Sequence, residues 1–208
     1  YTEYMALDPH IFKAYDIRGK VPKELDADCG RRVGNAVAVF LSQKYKKKSL
    51  RLLVAGDVRV STPVLKKAVI DGIVTAGCDA IDVGTVTTPL FYFLLNRSRY
   101  DGGVMVTASH NPPEYNGFKV RGRKTEVIAR ESGLVRIAML AKRKTLFSGA
   151  RFGHVLRAAD GVDHYIRFLK RKMMIGKARI VVDAAGGAAT VVLPKLLQQF
   201  PGVIYKPL

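Results

Sequence analysis

The chain has 208 residues, of which 48% are hydrophobic and 25% charged, a composition typical of a soluble globular protein with room for one large core or two modest ones. No apolar run approaches the ~18 residues that a membrane span needs, and the first five residues lack a signal-peptide pattern, so no membrane partner is expected. With only Cys29 and Cys78, a disulfide framework is disfavoured and a reducing, cytoplasmic compartment is predicted.

The formal net charge of +18 is the unusual feature of the composition. Such a balance fits nucleic acid, a membrane surface or small anionic substrates as partners. We interpret most of the basic clusters as solvated helix ends and loops. A nucleic-acid-binding module, with tyrosines and phenylalanines as stacking partners, stays open as an alternative, but no zinc finger, RNP-type strand or basic zipper is visible, so nucleic acid is disfavoured. The clusters cover residues 44–48, 121–124, 142–144 and 170–172.

The first half of the chain alternates predicted helices and strands. We interpret residues 11–19 as a loop, because their polarity is mixed and they end in glycine. Asp26 is suited to cap a first helix, and Thr62-Pro63 supplies the cap and first residue of a second one. In chain order the predicted elements are a helix from 26 to the basic run at 44–48, a strand at 50–55, a helix from 62 to 77, a strand at 80–83, a helix at 88–95 and a strand at 102–106.

The pattern weakens over residues 121–153, where one helical stretch is predicted near 131–140. It resumes with a helix from 160 to about 174, a strand at 178–182, a helix to about 199 and one more strand. This alternation predicts an α/β fold: a three-layer α/β/α domain with a mixed sheet, followed by the beginning of a second similar α/β domain. We place the first domain at 1–153 and the truncated second at 154–208. The turn 183–187 lacks Gly-x-Gly-x-x-Gly, so we do not interpret it as a nucleotide site.

The string Thr107-Ala-Ser-His-Asn-Pro-Pro113 follows the apolar run at 102–106. Asn-Pro-Pro cannot continue a strand or start a helix, because proline lacks the amide donor and restricts its predecessor. Ser109 is therefore expected on a sharp turn at a strand end, where α/β proteins place their chemistry. A lone Ser-His pair is weak evidence, since chain neighbours in a strand point oppositely, and the Gly-x-Ser-x-Gly of hydrolases is absent.

The whole string resembles the phosphoserine loop of the α-D-phosphohexomutases, the family of phosphoglucomutase and phosphomannomutase. Residues 14–19, Ala-Tyr-Asp-Ile-Arg-Gly, are similar to that family's N-terminal substrate-side loop. Residues 55–61, Ala-Gly-Asp-Val-Arg-Val-Ser, resemble its Gly-Arg-Asp-x-Arg-x-Ser segment. Residues 180–187 are similar to the strand and turn that open its second domain. The four matches occur in order and cover nearly the whole chain.

The resemblance implies an intramolecular phosphotransferase that interconverts hexose 1-phosphate and hexose 6-phosphate. Ser109 would be phosphorylated in the resting enzyme and would give its phosphoryl group to the hexose phosphate. The bound hexose 1,6-bisphosphate would then turn over in the site and return its other phosphate to the serine. The resemblance also implies Mg²⁺, held partly through the phosphate on Ser109.

Five neighbours take roles in this scheme. The resemblance implies that Arg18 and Lys119 bind substrate and supply positive charge over the transferring group. His110 would hydrogen-bond that group or help to move the hydroxyl proton. Tyr15 would line the sugar site, and Asn111 would bind substrate and help to fix the turn.

The chain also departs from the family pattern. Gly56 stands where the family usually has arginine, so a charge near the loop is missing. The family's magnesium loop, Asp-Gly-Asp-x-Asp-Arg, and its later sugar- and phosphate-recognition loops have no counterpart here. We therefore expect the N-terminal part of a longer enzyme, inactive without the C-terminal domains of the same chain. An inactive, regulatory family member stays open, and the sequence does not select among hexoses.

Overall fold

A computed structural model describes residues 7–143, 145–158 and 160–208 of the chain. Within these ranges the chain forms eight strands and six α-helices. The strands are β1 (Ile17–Lys20), β2 (Arg51–Gly56), β3 (Asp79–Thr85), β4 (Gly102–Val106), β5 (Tyr115–Gly122), β6 (Val155–Arg157), β7 (Ala178–Val182) and β8 (Val203–Pro207). The helices are α1 (Ala27–Tyr45), α2 (Thr62–Thr75), α3 (Thr88–Arg97), α4 (Val135–Ala141), α5 (Gly161–Lys170) and α6 (Leu193–Leu197).

The first six strands form one mixed sheet in the order β1-β5-β4-β2-β3-β6. The inner strand β2 lies parallel to β3 and β4, and β6 lies parallel to β3. Strand β5 runs antiparallel to both β4 and β1. The predicted mixed sheet is therefore confirmed, and β7 and β8 form a separate parallel pair that begins the second α/β unit.

Strand β2 shows how the sheet separates two hydrophobic cores. Leu52 and Val54 face the core shared with α1, α2 and α4, whereas Leu53 and Ala55 face the core shared with α3, α5 and α6. Successive side chains of a strand point to opposite faces, so a strand covered on both sides becomes a continuous apolar run. All four side chains are fully buried, which gives the predicted α/β/α layering.

The sequence prediction is wrong for part of residues 11–19, which we interpreted as a loop. Residues Ile17–Lys20 form the edge strand β1. Ile17 is fully buried, and the strand pairs with β5 in the register Ile17↔Phe118. An edge strand needs a partner on one side only and keeps polar residues, so its sequence resembles that of a loop.

The helix starts are close to the predicted ones. Asp26 caps α1 as predicted, because its carboxylate accepts a hydrogen bond of 2.7 Å from the amide of Cys29. Thr62 is not the cap of α2: Ser61 holds that position, and the Thr62 hydroxyl donates to Asp57 at 2.7 Å instead.

The later helices are shorter than predicted. The stretch near 131–140 divides into a π-helical turn, Arg130–Leu134, and α4. Helix α5 ends at Lys170, not near 174. The last predicted helix divides into a 3₁₀ turn, Ala188–Val191, and the short α6. Glycines and prolines interrupt the helical spacing of apolar residues in this part of the chain. Sequence propensity therefore predicts the ends of these helices poorly.

Residues beyond the predicted boundary at 153/154 contact the first sheet. Strand β6 extends its β3 edge, and Ile166 of α5 and Leu196 of α6 lie in the core shared with α3. The boundary itself stays a prediction. Among the described residues, no helix combines the length and the apolar character needed to cross a bilayer.

Candidate active site

A cleft of about 570 Å³ opens at the carboxyl edge of the sheet. The loops that follow the parallel strands β2, β3 and β4 form three of its walls, because the carboxyl ends of parallel strands meet at one edge. The turn that follows β7 closes the fourth side. The cleft is lined by residues 57–59, 86–89, 109–111 and 185–188, with Met105, Thr107 and Pro113.

Ser109 lies in this cleft on a left-handed backbone turn, with φ of 57°. A non-glycine residue at positive φ is uncommon, and such residues are enriched at functional sites. The Ser109 amide donates to the Thr107 hydroxyl at 2.9 Å, and the Thr107 amide donates to the carbonyl oxygen of Gly117 at 2.9 Å. The loop is thus tied to β5 while Ser109 itself is exposed.

His110 is the polar neighbour of Ser109 in the cleft. Its Nδ1 lies 3.5 Å from the Ser109 Oγ, at the outer limit of a hydrogen bond, and both residues are exposed. Chain neighbours point oppositely only in an extended strand. Because the backbone turns at Ser109, the side chains of Ser109 and His110 can face each other even though the two residues are adjacent in the chain.

Arg59 binds the backbone of the serine loop, residues 107–115. Arg59 was not predicted from the sequence as a site residue. Its side chain is only 14% exposed. One guanidinium donates hydrogen bonds to four backbone carbonyl oxygens, those of Ser109, Asn111, Pro112 and Tyr115. The available signal was the segment 55–61, which we interpreted as a family match without assigning a role to this arginine.

Asp57 fixes the position of Arg59, whose four hydrogen bonds clamp the serine loop. Its carboxylate accepts hydrogen bonds from the Arg59 amide at 3.0 Å and from the Thr62 hydroxyl at 2.7 Å, and its other oxygen lies 3.5 Å from the Arg59 Nε. A Cβ atom at Gly56 would collide with the methyl group of Thr62. The end of β2 packs tightly against the start of α2 at Gly56. This position therefore has no room for the arginine that the family usually has there.

A second polar group lies on the adjacent strands β1 and β5. Arg18 donates to the Asp16 carboxylate at 2.7 Å and to the Asn111 side-chain oxygen at 2.9 Å. Lys119 donates to the same Asp16 oxygen at 2.9 Å. Asp16 therefore gathers both predicted cations, and Asn111 joins them to the serine loop.

The charge state of Asp16 follows from these contacts. Burial raises the pKa of its carboxyl group, but the hydrogen bonds and positive charges of Lys119 and Arg18 outweigh burial, so the pKa is lowered overall. Asp16 stays ionised at neutral pH. It offsets part of the positive charge and fixes the directions of both basic side chains.

The predicted site residues divide into two groups. Ser109, His110 and Asn111 line the cleft, whereas Arg18 and Lys119 reach it only through Asn111 and Asp16. Tyr15 is 66% exposed and is not part of the cleft wall. The catalytic and binding roles of all these residues stay predictions.

The described residues contain no group of three or more His, Cys, Asp or Glu side chains that could hold a metal ion. In the cleft, Asp57 is already engaged by Arg59 and Thr62. The donor set of the described residues therefore does not fit the predicted magnesium site by itself, because magnesium prefers clustered carboxylate oxygens.

The α/β/α fold and the loop that carries Ser109 define a class of proteins. Comparison with known proteins shows which family this class is. Residues 9–142 match the family model described as phosphoglucomutase/phosphomannomutase, alpha/beta/alpha domain I. The match covers more than half of the chain, so this chain belongs to the phosphoglucomutase/phosphomannomutase family.

Individual relatives agree with that assignment. The chain is 37% identical to a phosphomannomutase/phosphoglucomutase of Pseudomonas putida, covering 93% of this chain and 40% of the relative. It is 34% identical to a phosphomannomutase of Vibrio cholerae, covering 91% and 41%. A crystal structure of a family protein from Burkholderia thailandensis superposes with a TM-score of 0.86 at 31% identity, covering 97% and 44%. The chain thus spans less than half the length of these relatives.

Proposed function

We propose that this chain supplies the phosphoserine part of the active site of a phosphohexomutase, with Ser109 as the phosphoryl carrier. The observation that carries the proposal is the placement of Ser109. It is exposed, held at a φ of 57° and clamped at a cleft on the carboxyl edge of the sheet, in a chain of this family. The relatives named phosphomannomutase support hexose phosphates as the substrate class.

In the proposed reaction the phosphoryl group moves between Ser109 and a sugar hydroxyl. The bond from the Ser109 oxygen to phosphorus breaks and a bond from the sugar oxygen to phosphorus forms. The sugar hydroxyl loses one proton in this step, and the Ser109 oxygen gains one to become a hydroxyl again. His110, with Nδ1 at 3.5 Å from the serine oxygen, is suited to hold the transferring group or to accept that proton. The product of this half-reaction is a hexose 1,6-bisphosphate, and the reverse transfer from its other phosphate restores the phosphoserine.

Positive charge beside the loop favours such a transfer. The transition state spreads negative charge over the equatorial phosphoryl oxygens, so cations that are already oriented stabilise it. Arg18 and Lys119 are held by Asp16, and Arg18 also binds the Asn111 side chain. Both side chains keep N–H donors that Asp16 does not use, and these are available to a phosphate.

Mg²⁺ would offset the charge of the departing phosphoryl group when it is bound. In this chain only the phosphate on Ser109 is proposed as a ligand, and the remaining ligands would come from elsewhere in the protein. We assign the whole reaction cycle to the full-length protein, because the chain spans only 40% to 44% of the length of its relatives.

The direct test is chemical. The full-length protein is incubated with a hexose 1,6-bisphosphate, and intact mass with peptide mapping locates any phosphate. We expect one phosphate on Ser109, and none on the Ser109→Ala variant. Ser148→Ala, an exposed serine outside the cleft, serves as the control and should be labelled normally. Labelling of Ser109→Ala to the same extent would refute the assignment.

The charge of +18 keeps a nucleic-acid-binding function as the rival proposal. If the charge serves small phosphates, binding to random duplex DNA should be weak and should fall by about a thousandfold between 50 and 200 mM salt for ~6 phosphate contacts. Tight, sequence-selective binding that survives physiological salt would favour the rival. An inactive family member with a regulatory role would bind hexose phosphate but leave Ser109 unphosphorylated.

A further inference from the structure

A second concave site lies between the C-terminal end of α3 and one face of α5. It has a volume of about 340 Å³ and shares no lining residue with the cleft of Ser109. Its lining includes three arginines and one histidine: Arg97, Arg167, Arg171 and His164. We propose that this pocket binds a small anion that carries two phosphate groups.

The two helices bring these side chains together. His164, Arg167 and Arg171 are spaced three and four residues apart, so they share one face of α5 and its C-terminal cap. Arg97 is the last residue of α3 and forms the opposite wall. Arg97 thus meets three basic side chains that lie more than sixty residues further along the chain.

Arg97 is oriented before any ligand arrives. Its guanidinium lies over the ring of Phe93 at 5.6 Å and over the ring of Phe168 at 5.3 Å, and the centroids of these two rings are 5.0 Å apart. Cation–π contacts fix the position of the guanidinium and use none of its N–H donors. The donors therefore remain available without the full entropy cost of ordering a free side chain.

The pocket carries positive charge that the surrounding protein does not neutralise. In the described part of the chain, Arg97, Arg167 and Arg171 form no salt bridge, and the single acidic contact is the 3.3 Å pair of His164 with Asp160. Some basic residues elsewhere are paired at short distances, as Lys44 is with Glu126 at 2.6 Å. Like charges that lie close together repel one another and destabilise the fold. An anion that binds between the three arginines reduces this repulsion.

The geometry points to phosphate as the binding group. A guanidinium presents paired N–H donors that match two oxygens of a phosphate, and it stays charged at every physiological pH. Three arginines exceed what one phosphate monoester needs, which favours two linked or neighbouring phosphate groups. The volume is at the lower end for small-molecule sites, so the ligand is a compact one.

Inorganic pyrophosphate is the probe for this pocket. Titration calorimetry on the whole chain at physiological ionic strength should give binding, and orthophosphate should bind more weakly. Arg167→Gln and Arg171→Gln should each weaken pyrophosphate binding by about tenfold, because each removes charge-assisted hydrogen bonds. Arg167→Lys should also weaken it, since lysine keeps the charge but lacks the planar fork.

The matched control is Arg136→Gln, which removes the same charge from the exposed face of α4 on the other side of the sheet. It should bind pyrophosphate like the unchanged chain. Thermal unfolding of each variant without ligand checks that the fold is intact, as expected for exposed side chains. The guanidinium NMR signals of Arg97, Arg167 and Arg171 should shift on titration, which separates this pocket from the cleft of Ser109.

Three outcomes would overturn the proposal. The first is that Arg167→Gln and Arg171→Gln bind pyrophosphate as tightly as the unchanged chain does. The second is an equal loss in Arg136→Gln, which would make the binding a general effect of net charge. The third is a duplex oligonucleotide that binds more tightly than pyrophosphate at the same salt and is lost in the same variants, which would make the pocket part of a nucleic-acid surface.

Discussion

At the scale of single residues, the conformation of the serine loop depends on Arg59. Carbonyl oxygens of a tight turn cannot all find backbone partners, because the turn has no neighbouring strand. One guanidinium has five N–H donors in a planar fork, so it binds four carbonyl oxygens of the loop at once, and of these the Pro112 oxygen also accepts from the Tyr115 amide at 3.0 Å. A loop held in this way keeps Ser109 in a left-handed conformation that its sequence alone does not favour.

Replacing Arg59 with glutamine should loosen this loop and destabilise the chain by about 2 kcal/mol, because hydrogen bonds to a charged group are lost. Arg59→Lys should recover only part of the loss, since an ammonium group cannot reach all four oxygens. Amide exchange of residues 108–116 and urea unfolding measure the two effects. Lys195→Gln, an exposed change on α6, is the control. Unchanged exchange in Arg59→Gln would mean that the prolines alone hold the turn.

Asp101 predicts a pH dependence away from the cleft. It is buried before β4 and accepts hydrogen bonds from Lys47 at 2.7 Å, from the Arg51 amide at 3.0 Å and from Arg123 at 2.6 Å. Burial raises the pKa of its carboxyl group, but these bonds and the charge of Lys47 outweigh burial and lower the pKa overall. A lowered folded-state pKa means that the stabilisation is present above the ordinary value of ~3.9 and is lost as pH falls through the folded value.

We therefore expect Asp101→Asn to lower the free energy of unfolding by about 2 kcal/mol at pH 7, a value reduced because Lys47 and Arg123 are half exposed. The difference between the variant and the unchanged chain should shrink as the pH falls below about 4, because the unfolded chain then takes up a proton that the folded carboxylate, with its lowered pKa, still resists. Urea unfolding at pH 7 and pH 3 measures it, with the exposed Asp163→Asn as control. A constant difference at both pH values would contradict the assignment to this carboxylate.

At the scale of elements, helices α1 and α2 approach each other through glycines. A Cβ atom at Gly72 would overlap the carbonyl oxygen of Arg31, and one at Gly34 would overlap that of Val69. The Asn35 side chain also donates to the Gly72 carbonyl oxygen at 3.2 Å. The close crossing lets both helices cover one face of the sheet, which supports the strand ends that carry the loops of the cleft.

Gly72→Ala should destabilise the chain by about 2 kcal/mol or more, because a backbone oxygen cannot move aside as a flexible side chain can. The matched control is Gly176→Ala, since a Cβ atom there has no described heavy atom within 4 Å and the residue does not have positive φ. Thermal unfolding compares the two variants. Equal melting temperatures would show that the helices can separate at little cost.

At the scale of the whole molecule, the cleft is built from the first sheet and the turn after β7. The described residues hold no group of three or more potential metal ligands, and no second phosphate clamp faces Ser109 from the lining of this cleft. A bisphosphate could therefore touch Ser109 here but would not be held while it reorients.

The chain alone should therefore turn over hexose phosphate at least about a hundredfold more slowly than the full-length protein, since losing even one stabilising group costs that much. A coupled mutase assay with a hexose 1,6-bisphosphate activator and excess Mg²⁺ compares the two proteins. Ser109→Ala in the full-length protein should abolish most of the turnover. Equal rates for the short and the full-length protein would mean that residues assigned here to structure build the metal site.

Local sequence determined those parts of the protein whose causes are local. Buried parallel strands are continuous apolar runs, so β2 and β4 were predicted within a residue. Asp26 caps α1 through an amide only three residues away. The serine loop was found because Asn-Pro-Pro ends a strand wherever it occurs and because the string resembles a known family.

Only the tertiary structure decided the rest. The segment 17–20 became a strand because β5, about a hundred residues later, supplies its partner. Arg59 became the clamp of the serine loop through bonds to residues at least fifty positions away. Arg18 and Lys119 converge on Asp16 because the sheet order places β1 beside β5. Contacts between distant residues depend on which strands become neighbours, and local periodicity carries no information about that choice.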